Sequence, residues 1–492
     1  MNSIYPITTG LYEEPLQLLI DGQWHDIADR DSLTVENPAT SEIIGHVPCA
    51  SEQDLDAALS SSQRGFELWK AIPAIIRWQI LTQAADLLAQ RQVYIANHLT
   101  LENGKPLGEA LGELQFCIEA IRWYAEEGKR AYGRMIPSRS AHVQQMALKE
   151  PIGPALGFAA WNFPAGNVTL KIAAALAAGC SMIIKPSDET PATAVAIVRC
   201  FQDAGLPDGV LNLVFGPPAE ISAYLIASAI PKKVSLTGST PVGKLLQNLA
   251  AKTLKRCTME LGGHAPVIVL PDADLEKTLD TLVAAKFRNA GQVCTSPTRF
   301  YIHQSIYPQF ITGFQQRVAK LVVGNGLDPK TQMGPMISAK KCQEMDRLVQ
   351  DAVQKGAQLI CGGQALTGAG HFYAPTLLKD VTANALIMQE EPFGPIAPLC
   401  TFDDIEQVIQ QANALPYGLA AYIFSQNSAL ATKLSNQLNA GCVGINQTNV
   451  HEVETPFGGV NESGYGSEGG IEGLEAYLRT KYVAHNLSHA YE

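Results

Sequence analysis

The sequence predicts an α/β protein with two doubly wound parallel-sheet domains and a small β bridging domain. Three observations carry this. Between 152 and 270, short apolar runs of strand composition alternate with amphipathic helical stretches, the signature of a parallel sheet wound by crossover helices. After 270 a second alternating series begins and runs to Val443-Gly444-Ile445-Asn446. The chain has 492 residues, too many for one hydrophobic core, so two or three domains are expected.

Taken in order, the pattern turns helical near residue 50. Ser51-Glu52-Gln53-Asp54 opens a run with apolar residues at helical spacing, and 77–90 and 108–133 continue it. Between Tyr132 and Ile152 the chain changes character, and 142–148 has strand composition between Pro137 and Pro151. That predicts a hairpin leaving the main body. Strands follow at 155–159, 181–184, 211–215, 233–236 and 267–270, with helices at 165–178, 190–204, 219–229 and 242–253. A helix over 274–289 opens the second series. The expected division is 1–131 with 151–260, then 261–462, with 132–150 and 463–492 as the bridge. Segments 132–151 and 474–483 are expected to pair into a sheet between subunits, because each would otherwise expose unpaired edges.

Composition narrows the function classes. Hydrophobic residues make up 46% and charged ones 17%, which marks an ordered chain. The net charge of −11, with no Lys/Arg cluster, argues against a nucleic-acid surface. The ten cysteines are scattered with no C-x-x-C pair, which fits a reducing cytoplasm and excludes a disulfide framework or zinc ribbon. No H-E-x-x-H occurs, and His485 with His489 reads as a solvated tail, so no metal site is expected. Met1-Asn2-Ser3-Ile4-Tyr5-Pro6 lacks the basic and apolar regions of a signal peptide. The apolar stretch 172–184 is shorter than a membrane span.

The chemistry concentrates in two runs. Cys294 sits in Asn289-Ala290-Gly291-Gln292-Val293-Cys294-Thr295-Ser296, and Glu260 opens Glu260-Leu261-Gly262-Gly263-His264. A thiol attacks as thiolate and needs surroundings that lower its pKa, while a carboxylate beside apolar residues can activate water. An inert core thiol and a surface acid are the bland alternative. The glycines around both count against it, since Gly-rich turns at element ends present reactive side chains. Gly238-Ser239-Thr240-Pro241-Val242-Gly243-Lys244 fits G-x-x-x-x-G-K, most of a nucleotide-triphosphate loop. Leu245 stands where that loop needs Ser or Thr for magnesium, and Pro241 removes a backbone donor. The loop still opens a helix whose N–H groups favour an anion such as pyrophosphate. An ordinary strand–helix turn remains an open reading.

Together these segments resemble the aldehyde dehydrogenase superfamily. The matching motifs are Trp161-Asn162-Phe163-Pro164, Ile184-Lys185-Pro186-Ser187, the 236–243 loop, Glu260-Leu261-Gly262-Gly263, Gly291-Gln292-Val293-Cys294, Glu391-Pro392-Phe393-Gly394-Pro395 and Pro456-Phe457-Gly458-Gly459. They fall in family order from about 18 to 485. The narrower likeness is to succinate-semialdehyde and 2-oxoglutarate-semialdehyde dehydrogenases, carried by 286–300, 262–269 and 463–470.

The resemblance implies that Cys294 attacks the aldehyde, that Asn162 and a backbone N–H hold the oxyanion, and that Glu260 activates the water that releases a free acid. It implies NAD, with NADP open, bound in the first domain, and a homodimer or homotetramer. Cofactor contacts are implied at Ala159, Trp161, Lys185, Ser187, Asp188, Gly216, Thr237, Gly238, Ser239, Val242, Leu261, Gly262, Glu391 and Phe393. Asp188 stands where the family usually has Glu; its carboxylate repels a 2′-phosphate and so favours NAD. The substrate contacts implied are Arg288, Phe116, Leu170, Phe457 and His451. Leu170 replaces an Arg, and His451-Glu452-Val453-Glu454 stands where the succinate-semialdehyde enzymes carry a Ser a few residues before Pro-Phe-Gly-Gly, which leaves Arg288 alone of a carboxylate clamp. Capping the preceding helix is the other role open to Arg288. Ser296 replaces a second Cys, so no thiol switch is expected. The competing readings are a dehydrogenase of neutral aliphatic or aromatic aldehydes, a nucleotide hydrolase on Gly238–Lys244, and a binding protein without activity.

Overall fold

A computed structural model describes residues 15–28 and 30–487; Met1 to Pro6 and His489 lie outside the described residues. The first body is built on an eight-stranded sheet. Its centre is parallel, in the order Arg256–Glu260, Lys233–Thr237, Ala155–Phe158, Met182–Lys185, Leu211–Leu213. Leu18–Ile20 and Gln23–His25 extend one side antiparallel, and Gly464–Tyr465 pairs antiparallel on the other edge. Helices Pro164–Ala178, Pro191–Asp203, Pro218–Ala227 and Thr240–Ala251 make the crossovers. The strands are buried throughout or nearly so, as a sheet covered on both faces requires.

The second body holds seven strands in the order Gln358–Cys361, Thr376–Lys379, Ile396–Phe402, Pro297–His303, Ala265–Val269, Ala420–Phe424, Cys442–Ile445. All neighbours are parallel except the first pair. Each body has its own apolar core. A third, small cluster of Leu419, Cys442 and Phe457 packs against Cys294 and Val450.

The helical run from residue 50 starts where the sequence places it. Ser51 caps helix Glu52–Ala71 in a reciprocal box with Asp54. Helix Leu107–Gly128 follows later in the same run. The hairpin is Arg134–Ile136 against Val143–Pro151, and Leu478–Asn486 completes a three-stranded sheet. It exposes Met135 and Leu148 on one face and Tyr482 on the other.

Several boundaries differ from expectation: the helix expected over 108–133 ends at Gly128, and the strand expected over 211–215 ends at Leu213. Leu474 and Glu475 end a short helix, Gly470–Glu475, and do not begin the final strand. The helix expected over 274–289 is Leu275–Phe287, because Asn289 and Ala290 take left-handed conformations that an α-helix cannot continue through. Among the described residues no helix is long and apolar enough to cross a membrane, and no group of His, Cys, Asp and Glu is gathered for a metal.

Candidate active site

Glu260 is the last residue of its strand, at the carboxyl edge of the first sheet. After Leu261-Gly262-Gly263-His264 the chain enters the second body at Ala265–Val269. The crossing is tight. A Cβ on Gly262 would lie 2.5 Å from Glu391 Oε2, and one on Gly263 would lie 2.6 Å from the Cys294 carbonyl oxygen. At Gly263 the obstacle is main chain, so only glycine fits there, whereas at Gly262 it is the end of the Glu391 side chain.

Cys294 sits beyond the short 3-10 turn Arg288–Gly291, in which Asn289 (φ 47°) and Ala290 (φ 54°) are held left-handed. Such backbone costs about 1–2 kcal/mol per non-glycine residue and persists only where neighbours over-determine it. They do so here. The Asn289 N–H donates to Glu109 Oε2 at 2.9 Å and its side-chain amide donates to the Asn162 carbonyl at 2.9 Å. Gln292 donates to the Asn289 carbonyl at 3.1 Å and accepts from the Ile337 N–H at 2.9 Å. Tyr422 donates its hydroxyl to the Thr295 carbonyl at 2.6 Å.

Asn162 is buried between the bodies. Its Nδ2 donates to the Gln292 carbonyl at 3.2 Å, and an amide carries two N–H groups, so a second donor is left for a substrate oxygen. Its main chain is clamped: Lys105 Nζ donates to the Asn162 carbonyl at 2.9 Å and pairs with Glu113 at 2.5 Å, both almost fully buried. Glu113 also accepts from Ala165 and Gly166 N–H at 2.9 and 3.0 Å, which caps helix Pro164–Ala178 just after Asn162.

One cavity of about 910 Å³ joins these groups. Cys294, Glu260 and Asn162 line it, as do Trp161, Thr237, Gly238, Ser239, Leu261, Gly262, Glu391 and Phe393. So do Phe116, Leu170, Arg288, His451 and Phe457. Ala159, Lys185, Ser187, Asp188, Gly216 and Val242 are not on its wall. Ala159 and Lys185 stand at the carboxyl ends of neighbouring parallel strands, where open α/β sheets bind ligands. Asp188 accepts from Lys185 at 2.6 Å and from the Gly216 N–H at 3.1 Å. Ser187 donates to Glu189, and Val242 is exposed on its helix.

The electrostatics correct one expectation. Nothing lowers the Cys294 thiol overall: burial, then Glu391 and Glu260, push it up to about 12, against weaker help from backbone N–H groups. Glu260 has neither carboxylate oxygen hydrogen-bonded, and burial with nearby Glu468 raises it well above the carboxylate range, opposed by Lys171. Burial brings Glu391 up to about 7, although the Gly263 N–H donates to it at 3.1 Å.

The wall fits a dinucleotide. Helix Thr240–Ala251 has no side-chain cap at Ser239, so its first-turn N–H groups are open to an anion beside Thr237, Gly238 and Ser239. Trp161 meets Phe393 edge-on at 5.7 Å, an aromatic pair between the bodies. The triphosphate reading loses its cation as well as its metal ligand, because Lys244 points outward to Glu462 at 2.7 Å. The Arg288 main-chain N–H donates to the Ala284 carbonyl and so caps the helix it ends, while its guanidinium lies 5.0 Å from the Phe163 ring centre, on the cavity wall.

Several residues escaped the sequence reading. Lys171 is the single charge in the apolar helix Pro164–Ala178, a signal that could have been caught; it pairs with Glu468 and donates to Thr237 Oγ1 at 2.7 Å. Lys105, Glu109 and Glu113 read as surface charges, and nothing local marks them as buried.

The aldehyde dehydrogenase family profile matches residues 24–483, nearly the whole described chain. The chain belongs to the aldehyde dehydrogenase family. This aldehyde dehydrogenase is 45% identical over 97% of its length, and 99% of the relative's, to the 4-(hydroxymethyl)benzenesulfonate dehydrogenase of Comamonas testosteroni. It is 41% identical, over 96% of this chain and 98% of the other, to the NADP-dependent succinate-semialdehyde dehydrogenase of Escherichia coli. A crystal structure of an E. coli NADP-dependent enzyme superposes with a TM-score of 0.95 at 40% identity, covering 96% and 98% of the two chains. Aldehyde dehydrogenase activity with NAD or NADP and the two-domain α/β fold are thereby fixed.

Proposed function

We propose that the protein oxidises an aldehyde with an anionic group at its far end to the free carboxylic acid, through a thioester on Cys294. Dicarboxylic semialdehydes, succinate or 2-oxoglutarate semialdehyde, are the short members of that class. The observation that carries the reading is one cavity lined by Cys294, Glu260 and Asn162 together with the Arg288 guanidinium, which has no carboxylate partner among the described residues. The named substrates of the two relatives, a benzenesulfonate and succinate semialdehyde, both carry an acid.

The Cys294 sulfur attacks the carbonyl carbon, and the carbonyl oxygen becomes an oxyanion that Asn162 Nδ2–H receives. When bound, a nicotinamide cofactor would supply a cationic ring able to accept hydride, the hydrogen on the aldehyde carbon together with its two bonding electrons, which leaves the thioester on Cys294. Thr237, Gly238 and Ser239 would hold its pyrophosphate, Lys185 and Asp188 its adenosine ribose, and Glu391 with Phe393 its nicotinamide ribose. Glu260 then takes a proton from water, whose oxygen adds to the thioester carbon, and the acid leaves with Cys294 restored.

Arg288→Ala tests the substrate class. It is expected to raise KM for succinate semialdehyde by about one to two decades and to change a neutral aldehyde little. Equal losses on both would make Arg288 structural and remove the anionic class. For the cofactor, Asp188 is held in place by Lys185 and Gly216, and NAD is expected to give the higher kcat/KM, with Asp188→Ser narrowing the gap. A preference for NADP of tenfold, about 1.4 kcal/mol, would overturn this.

The exposed apolar residues Met135, Leu148 and Tyr482 support a second copy of the chain on the three-stranded sheet. Light scattering at the mass of one chain would remove that contact. All ten cysteines are free thiols, which supports a reducing, cytoplasmic location.

A further inference from the structure

We propose that the aromatic wall of the cavity beside Cys294 is shaped for a flat aryl aldehyde bearing an acidic group, with Phe116, His451 and Phe457 packing on the ring and His451 donating a hydrogen bond to the acid. This rests on the aldehyde-oxidising reading above and narrows it.

His451 stacks on Phe457, with centroids 4.1 Å apart and planes 18° from parallel. Phe116 meets the same imidazole edge-on at 5.0 Å and 63°. The three rings make a continuous aromatic wall of the cavity that holds Cys294, and Leu170 adds an aliphatic face. An aryl ring gains from such a wall through offset and edge contacts, which a linear four-carbon semialdehyde cannot match.

The polar observation is independent of the ring contacts. His451 Nε2 is buried on this wall with no hydrogen-bond partner, and buried polar atoms in native proteins nearly always have one. A small turn of the imidazole toward the cavity would let a bound acid oxygen satisfy it. Burial, with Arg288 nearby, brings the imidazole down to about 4, so at neutral pH it offers an N–H and not a second positive charge. Arg288 supplies the charge.

The test is a comparison of kcat/KM for para-formylbenzoate, benzaldehyde, succinate semialdehyde and butanal in the cofactor-saturated protein. The wild type is expected to favour para-formylbenzoate over succinate semialdehyde by about tenfold or more. His451→Phe keeps the wall and removes the N–H. It is expected to cut the preference for para-formylbenzoate over benzaldehyde by about tenfold while holding the benzaldehyde-to-butanal ratio. His451→Ser is expected to lower that second ratio as well. Ratios within one preparation cancel any loss of folded protein. A wild type that uses succinate semialdehyde as well as para-formylbenzoate would overturn the inference and leave the anionic-aldehyde reading standing. Acid-bearing aldehydes that do no better than their neutral counterparts would overturn both.

Discussion

Cys294→Ser is expected to lose dehydrogenase turnover by roughly four decades or more while keeping its affinity for the dinucleotide. Without a dedicated base a serine hydroxyl stays protonated at neutral pH, and both carboxylate oxygens of Glu260 lack any hydrogen-bond partner. The native thiol is itself poorly ionised in the free protein, since burial and two carboxylates hold it near 12. Its thiolate fraction therefore grows about tenfold per pH unit across the neutral and mildly alkaline range. Alkylation of Cys294 by iodoacetamide, followed by mass spectrometry, should climb in that way without levelling off. A plateau near neutral pH, or substantial turnover by the serine variant, would place the nucleophile elsewhere or its environment wrongly.

Glu260→Gln is expected to separate the two halves of the reaction. The amide cannot accept a proton from water, so one equivalent of reduced cofactor should form in a burst, followed by turnover slowed by about two to four decades. In the native protein the carboxyl is raised above its ordinary value, and only its ionised form is a base. Deacylation therefore rises as pH rises through that raised value and fails as pH falls below it. A variant with no burst and an unslowed steady state would remove Glu260 from the mechanism.

The chemistry was legible because its residues sit in runs whose glycines and neighbours are contiguous in sequence. Cys294, Glu260 and Asn162 all reach one cavity. The thiol's environment was not legible, because the two carboxylates that raise it, Glu391 and Glu260, come from segments distant in sequence. The same holds for Asn162, whose clamp of Lys105 and Glu113 pairs charges that look like ordinary helix surface. Strands Leu18–Ile20 and Gln23–His25 were passed over although Asp21-Gly22 is a two-residue hairpin turn, with φ of 50° and 79°. Helix Leu275–Phe287 stops short because tertiary hydrogen bonds hold Asn289 left-handed, which local propensity cannot foresee.

The chain's passage from one body to the other through Gly262-Gly263 has a mechanical consequence. Cys294 and Asn162 belong to different bodies but are laced together through Gln292 and Asn289, so the groups that begin a turnover move as a unit. Glu260 has no such tether on its carboxylate. A slight loosening of the two bodies, by warmth or dilute denaturant, is expected to spare the first half of the cycle and to slow the second, which intact-protein mass spectrometry would check. Such a molecule stops loaded and not idle, its product still esterified to sulfur, and its intact mass is heavier by one acyl group.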